Sequence, residues 1–199
     1  RKERTMSVNF ISRRQRTFHE PKMVTWLLSG PQAAWVWLLP RLWVGYSWYE
    51  AGKHKLEDPD WMATGVALKS YWERAVTIPD TGRAPISFDW YRTFIQSLLD
   101  SNAHTWFAPL VVYGELLVAL VFGAFTGIAA FFGAFMNWNF MMAGSASTNP
   151  MLFVISIGLI LAWRVAGAIG LDSYLLPLIG TPWTEGEPVE PRVSAVRHA

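Results

Sequence analysis

Five charged or amide side chains interrupt long apolar stretches of this sequence. They are Arg41, Glu115, Asn137, Asn139 and Arg164. A charge at the centre of a bilayer costs at least about 2.5–3.5 kcal/mol on insertion scales, so such residues usually bind a ligand or one another. Arg41 and Glu115 have opposite charges and comparable depth in their segments. We therefore expect these two side chains to pair, or to share one polar ligand.

A proline immediately before the arginine strengthens this expectation. Pro40 removes one backbone donor and bends a helix at that point. The bend predicts a polar cavity near Arg41, Glu115 and Asn137, where a quinone carbonyl or a lipid headgroup binds. A purely structural staple between two helices is the alternative interpretation, and the residues leave both open.

A second polar cluster stands at the end of the same segment. Lys53 and His54 predict either an outward-facing anion or quinone site or an interfacial anchor of long, partly apolar side chains. His54 and His104 lie at the edges of apolar segments, whereas haem ligands in membrane bundles usually lie within them, so no bound haem is predicted. The chain has no cysteine, which excludes thiol catalysis and cysteine-ligated zinc or iron–sulfur centres. No metal site is predicted.

Four apolar windows must position these side chains. Each is close to the roughly 20 residues that cross the hydrocarbon core as a helix. The windows cover residues 31–52, 106–125, 126–143 and 150–168. Only 16% of the residues are charged, and most of them fall outside the windows, whereas a soluble helical domain interleaves charge throughout. The fold class predicted is an all-α integral membrane protein, a bundle of four transmembrane helices.

Small residues indicate how the bundle packs. Gly123 and Gly127 are four residues apart, and in lipid such pairs let helix backbones approach closely. We interpret both glycines as structural, together with Pro40 and with Arg164 near the cytoplasmic edge.

The charges divide the chain into three parts. Residues 1–30 form a basic tail, residues 31–178 the transmembrane domain, and residues 179–199 a mobile C-terminal tail. The bias of basic residues toward the first part places both termini in the cytoplasm. The loop 53–105 then lies outside and carries two interfacial helices, one capped by Asp58 and the other by Ser87. The net charge of +2 is too small to favour nucleic-acid binding.

Several motifs occur in the order that a known family shows. They are Arg41 followed by Gly45, then Gly52-Lys53-His54-Lys55, the Gly114-Glu115 pair, Asn149-Pro150, and Arg164 with Gly167, Gly170 and Asp172. This set, over about residues 38–176, resembles the DoxX/DoxD family. The resemblance implies a four-helix protein of the prokaryotic cytoplasmic membrane. In the DoxD branch it implies the small subunit of thiosulfate:quinone oxidoreductase, with quinone as the ligand and other redox subunits as partners.

The leading interpretation is thus a membrane subunit that binds quinone or organises a quinone-linked redox complex. Because this chain lacks cysteine, a partner subunit would have to oxidise a sulfur substrate by thiol chemistry. The alternative is a non-catalytic, structural subunit of a respiratory or photosynthetic complex. A small transporter is disfavoured, since no inverted repeat or pair of interrupted helices is evident.

Overall fold

The computed structural model describes residues 21–178, and within that range the regular structure is entirely helical. A single 3₁₀ turn, Pro31–Ala33, lies between the first two helices. In chain order the α-helices are α1 (Lys22–Ser29), α2 (Ala34–Leu56), α3 (Pro59–Met62), α4 (Val66–Val76), α5 (Asp89–Asp100), α6 (His104–Val121), α7 (Thr126–Met142), α8 (Asn149–Leu161), α9 (Trp163–Ala166) and α10 (Asp172–Leu178). The predicted all-α class is confirmed.

The four apolar windows correspond to α2, α6, α7, and α8 with α9. Among the described helices, α6 alone has the length and apolar composition needed to cross a membrane. Helix α7 has 17 residues and α8 has 13. The fourth window is interrupted because Ala162, at φ −94° and ψ 17°, leaves the helical conformation. Helix α1 falls in the part of the chain predicted as a tail. The remaining predictions for residues 1–20 and 179–199 lie outside the described residues.

The long helices share one apolar core. It is built from small and branched side chains on the inner faces of α2, α6, α7 and α8, with Trp48 as its largest member. The buried residues are Val44, Trp48, Val118, Phe122, Ala129, Ala130, Leu152, Leu159, Ala162 and Ala166. Two small residues of α7, Ala129 and Ala130, belong to this core, and such residues let helix backbones approach closely.

The segment between α2 and α6 forms a second, smaller core against one end of this bundle. Its buried members come from α4, the α4–α5 connection, α5, the start of α6 and the end of α7, and include Leu68, Trp72, Ile86, Tyr91 and Ile95. The hydroxyl of Tyr91 donates to the backbone carbonyl of Asn139 over 3.1 Å. This segment therefore packs as a cap, and its helices are held by side chains of α6 and α7.

The boundaries of the cap helices differ from the prediction. Asp58 caps α3 as expected, its Oδ1 accepting from the backbone N–H of Asp60 at 2.9 Å. The predicted single helix then breaks at Gly65, which has φ +69° and lies against the backbone of His104. A side chain there would be strained and would collide with that backbone. The next helix begins at Asp89, with Phe88 rather than Ser87 at the N-cap position.

The outward faces of the long helices are apolar. Where a water-soluble protein would present charge, these faces expose large aliphatic and aromatic side chains. They include Leu39, Leu42, Trp43 and Tyr46 on α2, Leu110, Leu117 and Leu120 on α6, Phe131, Phe132 and Phe135 on α7, and Met151, Val154 and Leu161 on α8. The charged and amide groups Arg41, Glu115 and Asn137 are instead buried.

The two glycines predicted as a packing pair have different environments. Residues 122–125 form a turn, so Gly123 and Gly127 do not share one helix. A Cβ added to Gly127 would lie 3.0 Å from Cβ of Trp163, which puts Gly127 in close contact with α9. At Gly123 the nearest atom is the carbonyl oxygen of Leu120 in the preceding turn.

Replacing Gly127 with Leu should therefore destabilise the bundle. Overpacking of this kind typically costs about 1–3 kcal/mol, because the backbone of α9 has to move. Thermal unfolding in detergent would measure the loss. Gly114→Ala is the control, since a Cβ there would lie 3.7 Å from Cε of Met136, an ordinary contact. Equal stability of the Gly127→Leu variant and the native protein would argue against close packing at this position.

Candidate functional site

Arg41 projects into a ring of backbone carbonyls at one end of the bundle. Its Nε donates to the carbonyl oxygen of Phe122 at 2.8 Å, and its Nη2 donates to that of Gly123 at 3.1 Å. Its Nη1 donates to the carbonyl oxygens of Ala166 at 3.0 Å and Ile169 at 2.6 Å. The last carbonyls of a helix lack intrahelical donors and carry partial negative charge. Arg41 therefore caps α6 and α9 together.

This geometry contradicts the predicted pair of Arg41 and Glu115. Phe122 lies seven residues beyond Glu115, which corresponds to about 10 Å along a helix. Glu115 pairs instead with Lys55. The expectation failed because it considered only oppositely charged side chains as partners for the guanidinium. Backbone carbonyls at helix ends can also accept the hydrogen bonds of a buried guanidinium.

Glu115, the single acid of α6, is deeply buried, with 1% of its side chain exposed. Its Oε1 accepts from Nζ of Lys55, whose side chain is 21% exposed. Nζ also lies 5.0 Å from the ring centroid of Trp61 and 5.6 Å from that of Phe140. A cation over two aromatic faces is stabilised by their quadrupoles. The two rings thus fix the ammonium beside the carboxylate.

Several buried polar atoms around this pair lack hydrogen-bond partners among the described residues. Asn137 is fully buried, and within residues 21–178 neither Oδ1 nor Nδ2 makes a hydrogen bond. The same holds, in that part of the chain, for Oε2 of Glu115 and for Nε1 of Trp48. A buried amide left without hydrogen bonds costs about 1–3 kcal/mol. Several such buried groups close together indicate a bound water or ligand that supplies the missing hydrogen bonds.

All three of these side chains line one cavity of about 450 Å³. The cavity lies between the bundle and the cap, with Glu115 and Asn137 on its bundle side and Trp61 and Tyr71 on its cap side. Its volume falls within the range of small-molecule sites. Arg74 lines the cavity as well. Further polar lining comes from the α7–α8 connection and the first residue of α8: Ser145, Ser147, Thr148 and Asn149.

Tyr71 presents a neutral phenol on the cap side of the cavity. Burial raises the pKa of Tyr71 to about 12, so its hydroxyl remains protonated at neutral pH. That hydroxyl donates to the carbonyl oxygen of Phe140 at 3.3 Å. Tyr71 therefore ties α4 to α7 and holds the cap over the cavity.

The structure brings together only some of the predicted site residues. Glu115 and Asn137 share the cavity, whereas Arg41 caps the helix ends. Lys53 and His54 are exposed on the last turn of α2, outside the cavity lining. Asn139 accepts from Tyr91 in the cap, and the exposed Arg164 lies 5.4 Å from the ring centroid of Trp163.

Lys55 and Trp61 line the cavity but were not among the predicted site residues. Continuing α2 to Leu56 would have revealed the lysine, because Arg41, Val44, Trp48 and Lys55 recur at intervals of three, four and seven residues. Such intervals place side chains on one helix face. Lys53 and His54 fall off that face.

The site combines an ammonium, a carboxylate oxygen and an amide with flat aromatic walls. These groups suit a planar ligand that carries a carbonyl or hydroxyl oxygen on its ring. Among the described residues, no group of three His, Asp or Glu side chains is placed to hold a metal ion. Comparisons with protein-family models, curated proteins and solved structures find no match for this chain.

Proposed function

We propose that this chain is the quinone-binding membrane subunit of a redox complex of the DoxX/DoxD type. The observation that carries the proposal is the cavity in which the carboxylate of Glu115 and the amide of Asn137 are buried, with atoms that make no hydrogen bond within residues 21–178. Intramembrane ionisable residues mark functional sites by default. The apolar outward faces of α2, α6, α7 and α8 support immersion of a four-helix bundle in lipid.

The residues of the cavity fit a quinone ring. Nδ2 of Asn137 and Nζ of Lys55 are donors suited to a ring carbonyl, and Oε2 of Glu115 is an acceptor suited to a ring hydroxyl. Trp61, Phe140 and Tyr71 provide flat apolar walls. A bound quinone supplies the redox chemistry by accepting two electrons and two protons. Lys55 and Glu115 orient the ring oxygens and hold exchangeable protons beside them. A partner subunit provides the electrons.

Purified protein should therefore carry extractable quinone. Asn137→Leu removes the amide donor and Glu115→Gln removes the carboxylate, so each should lower the quinone-to-protein ratio several-fold. The measurement is organic extraction and chromatography of protein purified in a mild detergent. His54→Gln is the control, because His54 is exposed outside the cavity and its loss should not change the ratio. A native protein without quinone, or full occupancy in both cavity variants, would refute the proposal.

A non-catalytic structural subunit is the second candidate. The observation that favours it is Arg41, a buried charge whose three nitrogens donate to backbone carbonyls at and just beyond the ends of α6 and α9. If the native protein contains no quinone, the cavity has a different occupant or holds only water, and the structural candidate gains support.

We further propose that the bundle spans a prokaryotic cytoplasmic membrane with both termini in the cytoplasm. Since the chain has no native cysteine, single cysteines introduced at Ser12 and at Thr81 can be labelled without background. They should react with an impermeant maleimide from opposite sides of oriented membrane vesicles. A third cysteine at Ser87, in the same cap as Thr81, should report the same side as Thr81. Labelling of Ser12 and Thr81 from one side would exclude this topology.

A further inference from the structure

A second cavity, of about 490 Å³, lies beside the first turns of α7. Its walls are almost entirely apolar and include Phe131, Phe132, Ile128, Ile160 and Trp163. Ile128, Phe131 and Phe132 are also exposed on the outer surface of the bundle. The cavity therefore opens on the apolar face that a lipid-soluble molecule would approach.

One carboxylate lines this apolar cavity. Asp172 is 1% exposed, and its Oδ2 accepts from the backbone N–H of Thr126 at 3.0 Å, at the first residue of α7. Its Oδ1 makes no hydrogen bond to any residue from 21 to 178, and the same is true of Oγ1 of the fully buried Thr126. Both residues line the cavity. A buried carboxylate oxygen without a donor is costly, so the site is incomplete without one.

The electrostatic surroundings indicate which kind of donor completes it. The negative charge of Asp172 is offset by the N-terminal end of α7 and by an electrostatic interaction with Arg41. A Cβ added to Gly170 would lie 2.6 Å from Nη2 of that guanidinium, which shows how closely the segment before Asp172 follows the arginine. With the charge already compensated, a second cation is not required. A neutral hydroxyl donates one hydrogen bond and leaves its apolar remainder against the aromatic walls.

We propose that this cavity binds a lipophilic phenol or alcohol whose hydroxyl donates to Oδ1 of Asp172. The ring or chain of the ligand packs on Phe131, Phe132 and Trp163. Thr126, whose Oγ1 makes no hydrogen bond within residues 21–178, lines the same cavity. This site is separate from the cavity of Glu115 and does not depend on the quinone proposal.

The test uses 1-naphthol and its methyl ether, in which a methyl group replaces the hydroxyl hydrogen and so removes the donor. Saturable binding to the full chain in nanodiscs is measured by equilibrium dialysis, with empty nanodiscs subtracting partition into lipid. Loss of a hydrogen bond to a charged group weakens binding by about tenfold or more. We therefore expect naphthol to bind at least about tenfold more tightly than the ether. Equal affinities, or no saturable binding of naphthol, would overturn the proposal.

Two variants locate the site. In Asp172→Asn the amide oxygen can keep accepting from Thr126 while an NH₂ group replaces Oδ1, so the preference for naphthol should disappear. Ile128→Trp fills the exposed mouth without altering Asp172 and should abolish saturable binding; this variant decides the matter if Asp172→Asn does not fold. His54→Gln, outside both cavities, is the control and should leave naphthol affinity unchanged. Retained preference in Asp172→Asn or retained binding in Ile128→Trp, each measured in a Glu115→Gln background that removes the acceptor of the other cavity, or loss in His54→Gln would overturn the assignment.

Discussion

Replacing Arg41 with Met should cause the largest loss of stability of any single substitution in the bundle. The change leaves the carbonyls of Phe122, Gly123, Ala166 and Ile169 without the donor that now joins them. Hydrogen bonds to a charged group contribute about 1.5–3 kcal/mol each in net terms. Even if water reaches two of the carbonyls, a loss on the order of 3–5 kcal/mol follows. Unfolding of the purified protein in mixed micelles would measure it.

The exposed Arg164 offers a matched control for this experiment. Its guanidinium lies 5.4 Å from the ring centroid of Trp163, and an exposed cation–π contact is worth about 0.5–1 kcal/mol. Arg164→Met should therefore cost no more than about 1 kcal/mol. Arg41→Lys should resemble Arg41→Met, because an ammonium cannot reach carbonyls on both sides as the planar guanidinium does. A loss at Arg41 equal to that at Arg164 would contradict the capping role.

The helix positions were largely predictable because the apolar windows reflect a local property of the sequence. Residues 126–143 predicted α7 to within one residue of its observed bounds. The breaks were not predictable in the same way. Gly65 leaves the helix because the backbone of His104 lies against it, and that contact joins residues far apart in the sequence. Ala162 breaks the fourth window with no proline or glycine beside it to signal the break.

The candidate site, like the helices, was predictable only in part. Burial of Glu115 and Asn137 followed from their position within apolar helices, and the structure places both in one cavity. Their neighbour Lys55 was obscured because α2 was expected to end at residue 52. The role of Arg41 was mistaken because backbone carbonyls at helix ends carry no sequence signature. Only the turn at residues 122–125 and the end of α9 bring those carbonyls to the guanidinium.

Lys55→Met should destabilise the protein nearly as strongly as Arg41→Met, because it leaves the carboxylate of Glu115 buried without its cation. Removing one partner of a buried ion pair costs about 3–5 kcal/mol. Glu115→Met should cost less, since the side chain of Lys55 is 21% exposed against 1% for Glu115 and its ammonium can move toward water. The double variant should be more stable than Lys55→Met alone, because no unpaired charge remains.

A double-mutant cycle measured by unfolding in micelles tests this pair. Lys69→Met is the matched control: its ammonium lies 3.9 Å from Glu73 in a pair exposed at both ends, and such pairs contribute about 0.3–0.5 kcal/mol. If the losses at Lys55 and Glu115 simply add, the two side chains do not interact. If instead the double variant recovers stability while losing quinone, the pair is retained for ligand binding at a cost to folding, since an apolar replacement of a buried ion pair is often neutral or stabilising.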